Sequence, residues 1–137
     1  MNIEDCINYL LTGAQHKVFI EMKKGLKELD LTPVQYGVLK CIWQFDMSNP
    51  KDIAAFLGVE NSTVSGILDR MEGKGMLVRE IDVDDRRHIN IRLSEETNKL
   101  ESAVNEIVER VNREVLSDFS KEESAQLKDY LRKIKDA

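Results

Sequence analysis

Two adjacent arginines, Arg86 and Arg87, lie in a short polar stretch between two strand-like segments. An arginine exposed at a turn can enter the narrow minor groove of DNA, where the electrostatic potential is most negative. Asp85 could form a charge-assisted hydrogen bond with Arg87 and hold the guanidinium in place, so that less entropy is lost on docking. A solvated charge run is the alternative interpretation. We predict that this tip contacts DNA.

A second group of polar residues lies on a segment with helical periodicity, between apolar residues that recur every three or four positions. These outward residues are small, and several carry a hydroxyl group. Short side chains let a helix lie deep in the major groove and reach base edges or phosphates, although the same residues occur on ordinary solvated helices. With nearby cations and the arginine tip, the predicted DNA-contacting residues are Lys51, Asn61, Ser62, Thr63, Ser65, Arg70, Lys74, Asp85, Arg86 and Arg87.

Capping residues predict two short helices around this group. Asn49 is a good N-cap for a helix that ends at Gly58, and Asn61 is the expected cap of the next helix, which ends near Gly73. Two helices joined by a tight turn containing glycine form a helix-turn-helix. The second of them carries the small polar residues.

After this motif the apolar period changes from helical to two residues, over 76–81 and 89–93, which predicts a β-hairpin. Apolar stripes predict one long helix from Ile3 to Leu29 and another that begins at Ser94 and continues to Val115. Further helices are expected to begin at the capping residues Thr32 and Ser120. The sequence therefore predicts a mainly α protein, a winged helix-turn-helix flanked by N- and C-terminal helices.

The composition favours one compact domain, with 137 residues of which 42% are hydrophobic and 33% charged. The formal net charge is −5, and residues 48–93 carry seven basic against eight acidic side chains. Because this is no strong basic patch, we expect modest DNA affinity per subunit and a reliance on dimerisation. The sequence contains no phosphate-binding loop, nucleophile motif or zinc-protease motif, so we expect neither catalysis nor a cofactor or metal.

The two cysteines, Cys6 and Cys41, form no CxxC pair, which fits a reducing compartment. The first residues lack the basic start and apolar core of a secretory signal, and no apolar run approaches the ~20 residues of a membrane helix. We therefore expect a cytoplasmic protein without membrane contact. A redox switch at Cys6 is an alternative hypothesis, disfavoured because no setting that lowers its pKa is evident.

The chain resembles the MarR family of bacterial regulators along nearly its whole length. The resemblance is carried by residues 52–58, 61–65, 68–72, 74–77 and 84–94. It implies a two-fold dimer held by the first helix and the last two, with a recognition helix in the major groove and a wing arginine in the minor groove. It also implies that Arg87 with Asp85 takes the wing role, while Ser62, Thr63 and Ser65 face the groove.

On this basis residues 1–137 are expected to form a single MarR-like domain, with the winged core at about 32–93 and dimerisation helices at about 1–29 and 94–137. The expected function is a homodimeric repressor that binds a pseudo-palindromic operator and is released by a small-molecule effector. The candidate effector pocket consists of His16, Phe19, Tyr36 and Trp43. The alternative is a winged-helix module whose partner is a protein.

Overall fold

The computed structural model describes residues 1–85 and 87–137; the predicted DNA contact Arg86 lies outside them. Within these residues the chain is mainly helical and contains one antiparallel hairpin. The elements are α1 (Ile7–Leu26), α2 (Pro33–Phe45), α3 (Pro50–Leu57), α4 (Asn61–Gly73), β1 (Leu77–Ile81), β2 (Ile89–Leu93), α5 (Glu95–Asn98), α6 (Glu101–Val115) and α7 (Lys121–Lys135).

The N-terminal helix is shorter than the sequence predicted. Residues Ile3–Asp5 form a separate 3₁₀ turn, and the extended backbone of Cys6 divides it from α1. A second 3₁₀ turn over Lys27–Leu29 follows α1. Asp30 then adopts a left-handed conformation with φ of 56°, as is common just beyond a helix C-terminus. The prediction of one helix from Ile3 to Leu29 was therefore wrong at both ends.

Helix α2 begins as the sequence predicted. The Thr32 hydroxyl accepts from the Gln35 backbone N–H at 3.2 Å, and the Gln35 side chain accepts from the Thr32 N–H at 3.0 Å. Helix α3 is capped by Asn49 and ends at Gly58. The φ of Gly58 is 69°, in the left-handed region that glycine adopts without steric cost. Both capping predictions are confirmed.

Helix α4 begins one residue away from its expected cap. Glu60 is the N-cap and its side chain makes no capping hydrogen bond, whereas Asn61 is already the first helical residue. The prediction of Asn61 as N-cap was wrong, because the turn from α3 places Glu60, not Asn61, in extended backbone. The asparagine side chain therefore lies on the exposed surface of the first turn.

The predicted hairpin is present, with Leu77 opposite Leu93 and Ile81 opposite Ile89. The helix expected to run from Ser94 to Val115 is divided into α5 and α6. Within α5 the Thr97 hydroxyl donates to the Met76 carbonyl at 2.8 Å, which ties this short helix to the base of the hairpin. The prediction of one continuous helix was wrong at this point.

The buried core joins α1, α2, the helix-turn-helix, the hairpin and α6. Its most completely buried large side chains are Leu26, Val38, Leu39, Ile53, Val64, Leu68, Met71, Leu77 and Val104. Phe45, the last residue of α2, is 48% exposed and packs on the exposed Phe56. Within residues 1–85 and 87–137, no helix has the length and apolar character to span a membrane.

Candidate nucleic-acid interface

The surface of α4 separates cleanly into a buried and an exposed side. Val64 and Leu68 are completely buried, whereas Ser62, Thr63 and Ser65 are exposed. Helical periodicity produces this division, because residues three and four apart share a face. The α3–α4 unit thus presents a small-residue helix to the exterior, and we call α4 the recognition helix.

A shallow groove of about 710 Å³ runs beside the recognition helix and brings it close to the start of α2. Its walls are Thr32, Val34, Gln35, Ser62, Thr63, Gly66, Ile67, Arg70 and Lys74. The start of α2 adds little to anion binding, because the Gln35 N–H already donates to the Thr32 hydroxyl and Pro33 has no N–H. The groove combines hydroxyl groups with two cations, a suitable surface for a phosphate backbone.

Arg70 lies over Gly66 on this surface. A Cβ atom added at Gly66 would lie 3.9 Å from Nη2 of Arg70, an ordinary van der Waals contact. The guanidinium therefore extends back along the helix over the glycine. The exposed Arg70 thus places a cation on the outward face of the recognition helix.

At the hairpin tip Asp85 holds Arg87 through both carboxylate oxygens. Oδ1 accepts from the Arg87 backbone N–H and from Nε at 3.1 Å, and Oδ2 accepts from Nη2 at 3.2 Å. These hydrogen bonds hold the pKa of Asp85 below its ordinary value. The Arg87 side chain remains 89% exposed. The predicted contact between Asp85 and Arg87 is confirmed, and the guanidinium is oriented while its other donors face solvent.

The remaining predicted cations lie at the edges of this surface. Lys51 is exposed in the first turn of α3. Lys74 follows the recognition helix, and its Nζ lies 3.5 Å from a carboxylate oxygen of Asp30. The structure thus brings Arg70 and Lys74 together in one groove, whereas Lys51 and Arg87 stand on separate elements.

Several acidic residues of this region are paired with strand arginines. Arg79 on β1 donates to Asp69 and to Glu72 on the recognition helix, the second at 3.1 Å. Arg92 on β2 donates to Glu80 at 2.6 Å. Three of the eight acidic side chains in residues 48–93 therefore have an arginine partner on a strand of the hairpin.

Sequence analysis did not identify Arg79 as a residue with a role. The available signal was strand alternation, because Arg79 lies two residues after the apolar Leu77 and therefore shares its face of the strand. An arginine on the inward face of a hairpin needs an acidic partner on the neighbouring element. Asp69 and Glu72 are at helical spacing on that element.

The four residues of the predicted effector pocket do not line one cavity. Phe19 lines an apolar groove of about 910 Å³ formed by α1, the start of α2, the end of α6 and α7. His16 is exposed, and Tyr36 is half-buried against the core. Trp43 donates from Nε1 to Asn98 Oδ1 at 3.0 Å. The structure places His16, Tyr36 and Trp43 outside the groove.

Two further sites considered from the sequence receive little support from the geometry. Burial raises the pKa of the Cys41 thiol, which lowers its reactivity. Cys6 is only partly exposed, at the start of α1. Among the residues that the structure describes, no group of three or more His, Cys, Asp or Glu side chains is placed to hold a metal ion.

A helix-turn-helix with an exposed polar helix and an arginine-tipped hairpin defines the class of winged helix-turn-helix DNA-binding proteins. Residues 31–89 match the model of the MarR family. The chain is also 33% identical over 130 residues to the HTH-type transcriptional regulator PecS of Dickeya dadantii, a match that covers 93% of this chain and 75% of that protein. The chain belongs to the MarR family of transcriptional regulators.

Solved structures share this fold along nearly the whole chain. CouR from Rhodococcus jostii, in complex with p-coumaroyl-CoA, is 26% identical with a TM-score of 0.79 and covers 98% of this chain and 94% of its own. A mutant MarR from E. coli complexed with operator DNA is 22% identical with a TM-score of 0.88, over 97% and 96% of the two chains. The predicted winged-helix fold and the DNA-binding class are confirmed.

Proposed function

We propose that this protein is a homodimeric repressor that binds a pseudo-palindromic operator and is released by a small-molecule effector. One observation carries the proposal: Arg87 is almost fully exposed at the hairpin tip and yet oriented by hydrogen bonds to Asp85. An oriented, exposed guanidinium loses little entropy on docking. It is suited to insertion into a narrow minor groove.

In this proposal the recognition helix enters the major groove. Ser62, Thr63 and Ser65 face base edges and phosphates, together with Asn61. Further phosphate contacts come from Lys51, Arg70, Lys74 and Arg86. The winged core at about 32–93 then serves as the DNA-binding part of a single domain. Two such cores would contact half-sites about 34–36 Å apart.

A second copy of this chain is the occupant that best fits the apolar groove of α1 and α7. Ile7, Leu10, Leu131 and Ile134 line this groove and are each at least 43% exposed. Contiguous apolar surface of this kind marks an interaction site. Both walls come from the terminal helices, which leaves the DNA-binding surface free. We therefore assign dimerisation to residues of about 1–29 and 94–137.

Release by an effector is supported by the relatives. CouR, 26% identical, was solved with p-coumaroyl-CoA bound. Phe19, which lines the groove assigned to dimerisation, is the predicted pocket residue at which a bound ligand would change the packing of the two subunits. We further propose a cytoplasmic regulator without catalytic activity, because the family members it resembles are transcriptional regulators.

The direct test is fluorescence anisotropy with DNA from upstream of the protein's own gene. Arg87→Ala removes one contact from each subunit of the dimer, about 2–2.8 kcal/mol together, and should raise Kd about 30- to 100-fold. The slope of log K against log[salt] should fall in magnitude by about two. Arg113→Ala, an exposed arginine on α6, is the matched control and should change neither quantity. Unchanged affinity of Arg87→Ala would remove the wing from DNA binding.

The effector part of the proposal has its own test. By linkage, a compound that binds the free protein better than the DNA complex must stabilise the free protein and weaken operator binding. A small-molecule library is screened for compounds that raise the melting temperature, and each is then added to the DNA complex. Stabilising compounds that all leave DNA affinity unchanged would contradict release by an effector.

A further inference from the structure

His88 lies between the hairpin tip and the start of α3. Its Nε2 is 3.2 Å from Asp85 Oδ2, and its Nδ1 is 3.4 Å from the side-chain nitrogen of Asn49. The same part of the hairpin is fixed to the preceding loop by a backbone hydrogen bond of 2.9 Å from Ile91 to Ser48. His88 therefore connects the tip, through one side chain, to the helix-turn-helix.

The capping role of Asn49 fixes which atoms meet at His88. Asn49 Oδ1 accepts from the Lys51 backbone N–H at 2.9 Å, as the N-cap of α3. The Asn49 amide nitrogen is therefore the atom that faces the imidazole, and an amide nitrogen only donates. Turning the amide over would cost the cap, worth about 1 kcal/mol. His88 Nδ1 must accept in this contact.

An imidazole that accepts at Nδ1 is neutral and carries its proton on Nε2. This Nε2–H donates to Asp85 Oδ2, the oxygen that also accepts from Arg87 Nη2. The Asp85 carboxylate is thus held by His88 on one side and by Arg87 on the other. A chain of contacts runs from Asn49 through His88 and Asp85 to Arg87.

We propose that His88 is a positioning residue for the wing arginine: as a neutral imidazole anchored on Asn49, it fixes Asp85 and thereby the direction of the Arg87 guanidinium. The inference rests on the proposed role of Arg87 in DNA binding. His88 itself needs no contact with DNA. Its contribution is to make the tip rigid relative to the recognition helix before DNA arrives.

The test is a double-mutant cycle measured by DNA anisotropy. His88→Ala should raise Kd about three- to tenfold, and the same change in an Arg87→Ala background should add nothing, because the two residues act as one unit. His88→Gln should restore affinity to within about twofold, since its Oε1 can accept from Asn49 while its Nε2 donates to Asp85. The glutamine rescue distinguishes positioning from a general loss of folding.

The outcomes separate the inference from the proposed function. If Arg87→Ala weakens binding and His88→Ala does not, positioning by His88 is wrong and the wing contact stands. If His88→Ala weakens binding equally in both backgrounds, His88 acts independently of Arg87 and the inference is also wrong. If Arg87→Ala has no effect, the proposed role of the wing itself fails.

Ring ¹⁵N NMR provides a measurement that does not depend on DNA. The protein has two histidines, so the signals of His88 and His16 can be assigned by substitution. His88 should be the neutral Nε2–H tautomer at mildly alkaline pH. Asn49→Ser preserves a capping oxygen but removes the amide donor, and should weaken this tautomer preference while leaving exposed His16 unchanged. A proton on Nδ1 of His88 in the wild type would overturn the inference.

Discussion

The Arg79 guanidinium of β1 donates hydrogen bonds to Asp69 and Glu72, two acidic residues one helical turn apart on the recognition helix. Its backbone N–H also donates to Glu72 Oε2 at 2.9 Å. The Arg79 side chain is only 23% exposed, so solvent screens these contacts less than those of a fully exposed pair. The hairpin is therefore fixed to the helix whose outward face carries the small polar residues.

Removing this connection should weaken DNA binding without a direct loss of a DNA contact. Arg79→Met keeps the unbranched apolar stem of the side chain and removes its donors, and should raise Kd about threefold or more because the wing is less well placed. Arg92→Met is the control, since the Arg92–Glu80 pair is largely exposed and such pairs contribute about 0–1 kcal/mol. DNA anisotropy measures the change in Kd, and urea unfolding measures the change in stability. Equal affinities of Arg79→Met and wild type would show that the wing needs no such anchor.

The same contacts predict how stability depends on pH. Hydrogen bonds from Arg79 hold the pKa of Glu72 below its ordinary value of 4.5. A carboxyl group with a lowered pKa stabilises the fold above its unfolded value, and this stabilisation is lost as the pH falls through the folded value. In Glu72→Gln the unfolding free energy should therefore decrease less steeply as the pH drops below about 4.5.

Urea unfolding across roughly pH 3 to 7 measures this effect. The Arg79→Met background serves as the control, because Glu72 loses the guanidinium there and keeps only the hydrogen bond from the backbone N–H of residue 79. Glu72→Gln should then change the pH dependence clearly less than it does in the wild type. A full effect of Glu72→Gln in that background would mean that Arg79 is not the cause.

Gly25 sets how closely α1 and α6 approach. A Cβ atom at this position would lie 2.9 Å from Ile107 Cγ2 and 3.0 Å from Val111 Cγ2, both in buried residues. Gly25→Ala should therefore destabilise the protein by about 1–3 kcal/mol, the usual cost of overpacking. Gly73→Ala is the matched control, because a Cβ there meets open space at the end of α4. Gly73→Ala should be neutral or slightly stabilising, because alanine favours helix. If Gly25→Ala and the wild type unfolded at the same urea concentration, α6 would accommodate the extra methyl group without a loss of stability.

Features that depend on neighbouring residues could be predicted from the sequence. The Thr32 capping box and the Gly58 stop are local, because their hydrogen bonds span only a few residues. The Asp85–Arg87 contact is equally local. Asn61 shows the limit of prediction from local residue types. Asparagine favours the N-cap position, but the residue type does not determine where a helix begins, and α4 begins with Asn61 itself.

Contacts between distant elements could not be predicted in this way. Arg79 meets Asp69 only because the hairpin folds back on α4, and His88 meets Asn49 only because β2 is hydrogen-bonded to the loop before α3. Each partner is an ordinary polar residue in its own segment. The four residues of the predicted effector pocket do not line one cavity for the same reason, because helical spacing does not show which helix faces are adjacent.

The exposed apolar face of α7 supplies the last prediction. The stripe of Leu127, Leu131 and Ile134 has the spacing of a core helix, yet Leu131 is 43% exposed and Ile134 is 53% exposed. We expect the missing half of this core to be the terminal helices of a second copy. Leu131→Glu places a charge in the apolar groove and should convert the dimer to a monomer, observed by analytical ultracentrifugation.

Lys133→Glu is the control on the same helix, outside the residues that line the groove, and should leave the dimer intact. Circular dichroism should show unchanged helix content in both variants, because the core around Leu39 and Leu68 does not involve α7. The monomer should also bind operator DNA at least tenfold more weakly, since two linked half-site contacts lose their shared effective concentration. A Leu131→Glu protein that stays dimeric would place the dimer interface elsewhere, while a monomer with full DNA affinity would show that each winged core binds alone.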